Sequence, residues 1–294
     1  MSTKILVCCH KKDVMATQQQ FMPIHVGKAL HKDVELNIQP DNTGDNISKK
    51  NNSYCELTGM YWAWKNLSGE GVKIIGLNHY RRYFDFHHQV SDIYNAKSFS
   101  SRDFSSLDLS VPSAIEEEIN NGAVVSANPI YFDASLAYTY CYYHNSKDFK
   151  ALQHVIASTQ PEYIRKAFWE VMYQNCKLMP YNMFLMSWDD FDNYCIWLFD
   201  ILQRVENIID ISDYDFIQRR IYGYMGERLL NVWLRAERKK IISKPIIWVN
   251  DSPSSSLPKF KQLLTKLKYE LAYQLLKNRS YTGLEDKWTG TANH

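Results

Sequence analysis

The chain lacks the short motifs that most readily announce a chemistry. It has no G-x-x-x-x-G-K-[ST] phosphate loop and no G-x-G-x-x-G turn, so neither common glycine-rich cradle for a nucleotide is present. It has no G-x-S-x-G elbow and no H-E-x-x-H helix, which removes the usual hydrolase and zinc-peptidase signatures. Its six cysteines, Cys8, Cys9, Cys55, Cys141, Cys176 and Cys195, include no C-x-x-C pair, and no Cys/His cluster has zinc spacing. They read as free thiols of a reducing compartment. No apolar stretch approaches the ~20 residues that span a bilayer, and the five-residue apolar run at 5–9 is too short for a signal-peptide core. The expectation is a cytoplasmic protein. With a formal net charge of +2, no global basic field points to nucleic acid.

What is present is an ordinary soluble composition with one bias. A chain of 294 residues makes one large domain or two small ones. Tyrosine (20) and tryptophan (8) are frequent. Each joins a flat apolar face to a polar tip, which suits sugar rings and nucleobases as well as cores.

Periodicity predicts strands over 4–9, 34–39, 72–77, 123–126 and 182–186. It predicts helices over 54–66, 135–144, 149–158, 162–175, 188–206 and 217–235. Cys195, Leu198, Phe199 and Leu202 form the inner face of the fifth helix, and Met225, Leu229, Val232 and Trp233 that of the sixth. Residues 87–118 read as a long polar excursion, and 250–256 as a Ser-rich linker. Strands alternate with helices first, and helices dominate later. This predicts an α/β sheet with a helical C-terminal half: a domain over 1–250, then a linker, a basic amphipathic helix and a tail over 251–294.

Three predicted strand ends carry polar clusters: His10-Lys11, then Asp41-Asn42-Thr43-Gly44-Asp45-Asn46, then His79-Tyr80-Arg81-Arg82. Open α/β sheets bind ligands outside the carboxyl ends of their strands. Arg81 and Arg82 suit a diphosphate clamp, since guanidinium forks match phosphate oxygens, and the competing reading is a structural salt bridge. His79 fits equally as a neutral donor or a core histidine. The 41–48 loop leads to Ser53 and Glu56, spaced as a capping box ahead of the Tyr61-Trp62-Ala63-Trp64-Lys65-Asn66 block. The Asp190-Phe191-Asp192 and Asp213-Tyr214-Asp215 pairs read as helix caps or polar turns. Gly223 and Gly226 suggest close packing or ligand approach in the last long helix, next to Glu227-Arg228. His144 and Asp148 are further titratable candidates, with a surface loop as the alternative.

Several of these blocks belong together. His10-Lys11, Pro23-Ile24-His25-Val26-Gly27, Gly44-Asp45-Asn46-Ile47-Ser48, Tyr54-Cys55-Glu56-Leu57-Thr58, the Trp62/Trp64 block, His79 to Phe84, Asn182-Met183-Phe184 and Glu227-Arg228-Leu229-Leu230 resemble one bacterial family. It is the long-unnamed domain family of capsular, exopolysaccharide and O-antigen biosynthesis proteins, regarded as glycosyltransferases, some associated with galactofuranosyl transfer. The resemblance runs from about residue 4 to 235. It implies a GT-A-like, Rossmann-like sheet that binds a nucleotide sugar, with an acceptor-binding second half. Donor-binding residues would be His10, Lys11, His25, Gly27, Asp41, Asn42, Gly44, Asp45, Asn46, His79, Tyr80, Arg81 and Arg82. Acceptor-binding residues would be Asn128, Asn182, Met183 and Trp188. Asp189 and Asp190 stand where such enzymes often carry the base, with His144 and Glu227 as the other candidates.

GT-A enzymes commonly hold a divalent metal on an Asp-x-Asp after a central strand. Here His79-Tyr80-Arg81-Arg82 occupies that place and Asp85 follows alone. The departure favours a reaction with no required cofactor, with manganese or magnesium the alternative. The expected function is transfer of a sugar from a nucleotide donor, uridine-linked and with galactofuranose as one candidate, to a surface polysaccharide or lipid-linked acceptor. The rival is a non-catalytic carbohydrate- or nucleotide-binding module or an assembly scaffold. Residues 257–278 place Phe260, Leu264, Leu267, Leu271 and Leu275 on one stripe beside Lys259, Lys261, Lys266, Lys268 and Lys277. That pattern fits either a peripheral membrane helix at the inner membrane face or a helix packed on its own domain or on a partner subunit.

Overall fold

A computed structural model describes residues 2–67, 71–87, 96–251 and 259–277. The strands are β1 (Ser2–Cys9), β2 (Phe21–His25), β3 (Gln39–Pro40), β4 (Val72–His79), β5 (Arg82–Phe84), β6 (Ala96–Phe99), β7 (Ala123–Ala127), β8 (Ile130–Tyr131), β9 (Lys177–Leu178), β10 (Phe184–Ser187), β11 (Lys240–Lys244) and β12 (Ile246–Val249). The helices are α1 (Asn51–Tyr54), α2 (Leu57–Asn66), α3 (Ser101–Phe104), α4 (Ser113–Asn120), α5 (Leu136–Tyr143), α6 (Ser146–Thr159), α7 (Glu162–Tyr173), α8 (Trp188–Glu206), α9 (Ile221–Ala236) and α10 (Lys259–Leu276). The fold is mixed α/β, with a central sheet and a largely helical later region. The chain forms two compact units: residues 1–128, 179–195 and 240–258 make the first, and 129–178, 196–239 and 259–294 the second.

The first unit is built on a sheet of order β11-β7-β10-β4-β1-β2-β3. β1 runs parallel to both β2 and β4, so its carboxyl end lies beside theirs. β10 is antiparallel to β4 and β7, and β11 is parallel to β7. β5 and β6 both pair with β12. Ile5 to Cys9 of β1 are buried throughout, as expected of a strand covered on both faces. Ile5, Val7, Phe21, Ile74, Tyr83, Phe84, Val125, Met183, Leu185 and Ile247 share one core cluster.

Several elements differ from the sequence expectation. Residues 34–38 form no strand, and the neighbour of β1 is instead β2, whose Pro23 hid it. Proline is tolerated there because β3 pairs only with Ile24 and His25, leaving Pro23 on a free edge. The 87–118 stretch is not simply an excursion, since β6, α3 and α4 lie within it, while 88–95 fall outside the described residues. β11 and β12, short strands before the predicted linker, come from 240–249, and most of that linker, 252–256, also lies outside the described residues. The predicted helix over 54–66 is two helices. Cys55 at φ 53° and ψ −131° breaks them, and its carbonyl accepts Asn51 Nδ2 at 2.8 Å.

The second unit is a helical cluster with a small two-stranded antiparallel sheet of β8 and β9. α7 packs on α9, and α5 packs on both α6 and α7. Phe149, Phe168, Trp169, Leu229, Leu230 and Trp233 are buried in it.

Candidate functional site

The parallel strands β1, β2 and β4 end side by side, and the loop after β3 folds over onto α2. Asp41, with no exposed surface, organises that loop. Its Oδ2 accepts the Gly27 amide at 2.8 Å and Thr58 Oγ1 at 2.7 Å. Its Oδ1 accepts Ser48 Oγ at 2.5 Å and the Lys28 amide at 3.2 Å. Four donors thus fill a buried carboxylate, joining β2, the loop and α2. Gly27 is required at this join: it has φ +72°, and a Cβ there would lie 2.5 Å from Asn51 Oδ1. The aromatic block of α2 holds the rest of the loop. Trp62 Nε1 donates to Thr43 Oγ1 at 2.9 Å, Asn66 Nδ2 to the Asp45 carbonyl at 2.8 Å, and Tyr61 Oη to Asp45 Oδ1 at 3.3 Å. The loop motif and the Trp62 block are therefore parts of one device.

This geometry changes the reading of several donor candidates. Asp41 is saturated and inaccessible, so it builds the loop. His25 is 2% exposed, and burial, with Lys28 nearby, lowers its pKa and keeps the ring neutral. Asn42, Gly44 and Asp45 remain exposed and Asn46 partly so, presented by a loop that Asp41 fixes.

At the ends of β1 and β4 the ring of Tyr80 gathers charge. His10 meets it edge-on at 5.4 Å between centroids. Lys11 Nζ lies 5.9 Å and Arg81 Cζ 5.7 Å from the ring centre. His10, Lys11 and Arg81 are exposed and Tyr80 partly exposed. Arg81 also donates Nε and Nη2 to one oxygen of Asp13, each at 2.8 Å, and that bond raises its pKa further. The ion pair named as the alternative reading is thus formed. Arg82 is held differently, its guanidinium centre 4.5 Å from the Tyr181 ring and 4.4 Å from the Trp248 ring. Cation–π contacts of this kind are worth up to about 2 kcal/mol where water is excluded. The two adjacent arginines therefore sit in separate settings.

A third cluster joins β4 to the entry of β10. Tyr181 (φ 72°) and Asn182 (φ 54°) are consecutive left-handed residues, a conformation that costs a non-glycine side chain energy. The turn brings the Tyr181 carbonyl to His79 Nε2 at 2.7 Å and Asn182 Nδ2 to Glu56 Oε1 at 2.6 Å. Glu56 therefore forms no capping box: α2 starts after it with no side-chain cap, and Ser53 Oγ bonds the Lys50 carbonyl instead. Glu56, Asp13, Tyr181 and Trp248 escaped the sequence reading as site residues. The Ser-x-x-Glu spacing supplied a local explanation for Glu56, and the others are distant in sequence from what they touch.

The acceptor candidates fare unevenly. Met183 is fully buried in the core and cannot touch a ligand. Asn182 is committed to Glu56. Asn128 is partly exposed at the end of β7, where its amide donates to the Lys244 carbonyl at 2.8 Å. Trp188 is partly exposed and packs on Phe191 at 5.4 Å. Asp189 and Asp190 open α8, exposed and partly exposed. They do not cap it, since Ser187 Oγ accepts the Asp190 amide, and Asp192 Oδ1 accepts Trp64 Nε1 at 2.6 Å.

The remaining catalytic candidates belong to the second unit. His144 stacks on Tyr224 at 4.0 Å, and burial together with Arg228 lowers its pKa to about 4. Glu227 pairs with Arg228 Nη1 at 2.7 Å. Asp148 is buried, accepts Tyr214 Oη at 2.5 Å, and is raised by desolvation. Asp215 Oδ1 accepts the Ile217 and Gln218 amides, the polar turn anticipated from sequence.

The comparisons with known proteins agree on kinship. No curated protein matches the chain. The apo structure of WbbM, described as a bifunctional glycosyltransferase, is similar at 26% identity and TM-score 0.74, covering 88% of this chain and 47% of that one. The chain thus spans about half the length of that relative. Residues 4–239 match the family described as Domain of unknown function (DUF4422). The chain belongs to the DUF4422 family.

Proposed function

We propose that this protein is a glycosyltransferase that moves a sugar from a nucleotide-sugar donor to a surface polysaccharide or lipid-linked oligosaccharide. The observation that carries the reading is the likeness to the glycosyltransferase WbbM over most of this chain. The strand-end clusters of the first unit support it. The donor, uridine-linked in this proposal and with galactofuranose as one candidate sugar, lies across the ends of β1, β2 and β4 on a GT-A-like frame. The fixed 41–48 loop receives the nucleoside side. Lys11, Arg81 and Arg82 neutralise the diphosphate as the glycosidic bond breaks. An acceptor hydroxyl gives its proton to a carboxylate and attacks the anomeric carbon, and the nucleoside diphosphate leaves. We assign the base to Asp189 or Asp190. Glu227 is tied to Arg228, and His144 lies beneath Tyr224. Nucleotide sugars are cytoplasmic metabolites, so the proposed location is the cytoplasm.

Asp41, at the end of β3, and Asp85, after β5, offer poor ligand sets for a divalent metal. Asp85 is 2% exposed and accepts the His87 amide at 3.2 Å, and Asp41 is filled by four donors. No step is routed through a metal.

The test is nucleotide release by the purified chain from a panel of uridine- and other nucleoside-diphosphate sugars, with and without saccharide acceptors. A thermal-shift panel of the same ligands runs beside it, since a ligand bound by the folded state raises apparent stability. Slow acceptor-independent hydrolysis of one donor, lost in Asp189→Asn or Asp190→Asn, is the expected result. Neither release nor stabilisation by any donor overturns the reading. Stabilisation without turnover favours a binding module.

A further inference from the structure

Helix α10 is turned the opposite way from an ordinary surface helix. Its contacts within the second unit are made by one face. Tyr269 stacks on Tyr131 at 5.9 Å, and its carbonyl lies 3.8 Å from Cys176 Sγ. The Tyr273 ring receives Lys177 Nζ at 4.2 Å from its centre, and Leu276 is buried. At about 100° per residue these positions cluster on one side of the helix. The other side carries Phe260, Leu263, Leu264, Leu267, Leu271 and Leu275, within an arc of about 120°. All six are exposed, from 49% at Leu264 to 79% at Leu275. The helix therefore presents its apolar stripe outward.

Lysines outnumber acids along the borders of that stripe. Lys261 and Lys268 follow one edge, and Lys277 and Glu270 lie towards the other; all four are exposed. Lys268 also pairs with Asp133 at 2.8 Å, an exposed pair, and Lys177 reaches Glu270 at 3.7 Å. The only acid of the helix itself is Glu270. A second copy of the chain would bring the same lysine borders against its own. An anionic surface would complement them, and its acyl region would receive the leucines. No helix among the described residues is long and apolar enough to cross a membrane. We infer that α10 docks the protein in the plane of an anionic lipid bilayer, apolar stripe down and lysines at headgroup level. This inference is independent of the catalytic reading, because its readout is membrane partition and the other's is nucleotide release.

The experiment is flotation of the full chain with phosphatidylcholine vesicles containing or lacking phosphatidylglycerol. The comparison protein is the full-length double variant Leu264→Glu/Leu271→Glu. Both positions are exposed, so the fold survives, which circular dichroism verifies. The chain is expected to float with anionic vesicles, to float far less with neutral ones, and to be released at about 0.5 M salt, where screening is short-ranged. The double variant is expected to lose recovery by about tenfold or more, since two charges enter the buried face. Equal recovery of both proteins, or recovery of neither, overturns the proposal. So does a concentration-dependent dimer that the double variant abolishes while vesicles recover nothing; the stripe would then be an interface between copies.

Discussion

Asp41→Asn tests whether one buried carboxylate builds the loop that the proposed donor site depends on. The substitution keeps size and shape and replaces one acceptor oxygen by an NH2 group. Whichever way the amide turns, that NH2 faces a pair of donors: the Gly27 amide and Thr58 Oγ1, or the Lys28 amide and Ser48 Oγ. A hydroxyl can rotate and accept, but a backbone N–H cannot. One amide is therefore left facing a donor, at a cost of about 1–3 kcal/mol, and the remaining bonds lose their ionic assistance. The expected destabilisation is about 2–4 kcal/mol. With a urea m-value near 3 kcal/mol/M, the midpoint of the first unit falls by roughly 1 M. Tryptophan fluorescence follows it, and Trp62 belongs to the same loop through Thr43. A midpoint within about 0.2 M of the parent would refute the reasoning and return Asp41 to the list of ligand-contacting groups.

Three further outcomes are expected. Arg82→Ala removes a cation from between two rings, and Arg81→Ala strands the nearly buried carboxylate of Asp13, so both lower stability as well as donor turnover. Turnover falls by about 10²-fold or more in each case, as for loss of a transition-state charge contact, and unchanged kcat/KM in both variants would dismiss the diphosphate clamp. His144 titrates near 4 when folded against 6.5 ordinarily, so between those values the unfolded chain binds the extra proton. Its contribution to stability is full above about pH 6.5 and is lost as pH falls through about 4; urea titrations of His144→Phe, which keeps a ring against Tyr224, are expected to flatten that slope, and an unaltered slope would contradict the assignment. Activity is expected to survive chelation by EDTA at least in part, because Asp41 is filled by four donors and Asp85 is buried; complete loss restored by manganese would refute this and return Asp41, Asp45 and Asp85 as ligands.

Much of the fold was legible because its signals are local. β1 and β4 are continuous apolar runs. The apolar spacing of α8 and α9 named inner faces that are buried, Cys195 and Leu198 in one, Met225 and Leu229 in the other. Elements defined by their neighbours were missed. β2 contains a proline, and β12 gains its place by pairing with β5 and β6. The break at Cys55 needs a left-handed residue, which a helical pattern does not register.

The sequence by itself determined the kinship, the order of most strands and helices, and the polar strand ends at His10, Asp41 and His79. These are properties of contiguous residues, and short-range chemistry suffices to read them. Only the tertiary structure decided what those polar groups do. It turned Asp41 from a ligand contact into a buried fastener, paired Arg81 with Asp13, and set Arg82 between Tyr181 and Trp248. It also turned the apolar stripe of α10 away from the unit on which that helix packs. The physical reason is common to all of these. A charged or apolar side chain has a role only relative to what surrounds it, and here those surroundings come from residues far away along the chain.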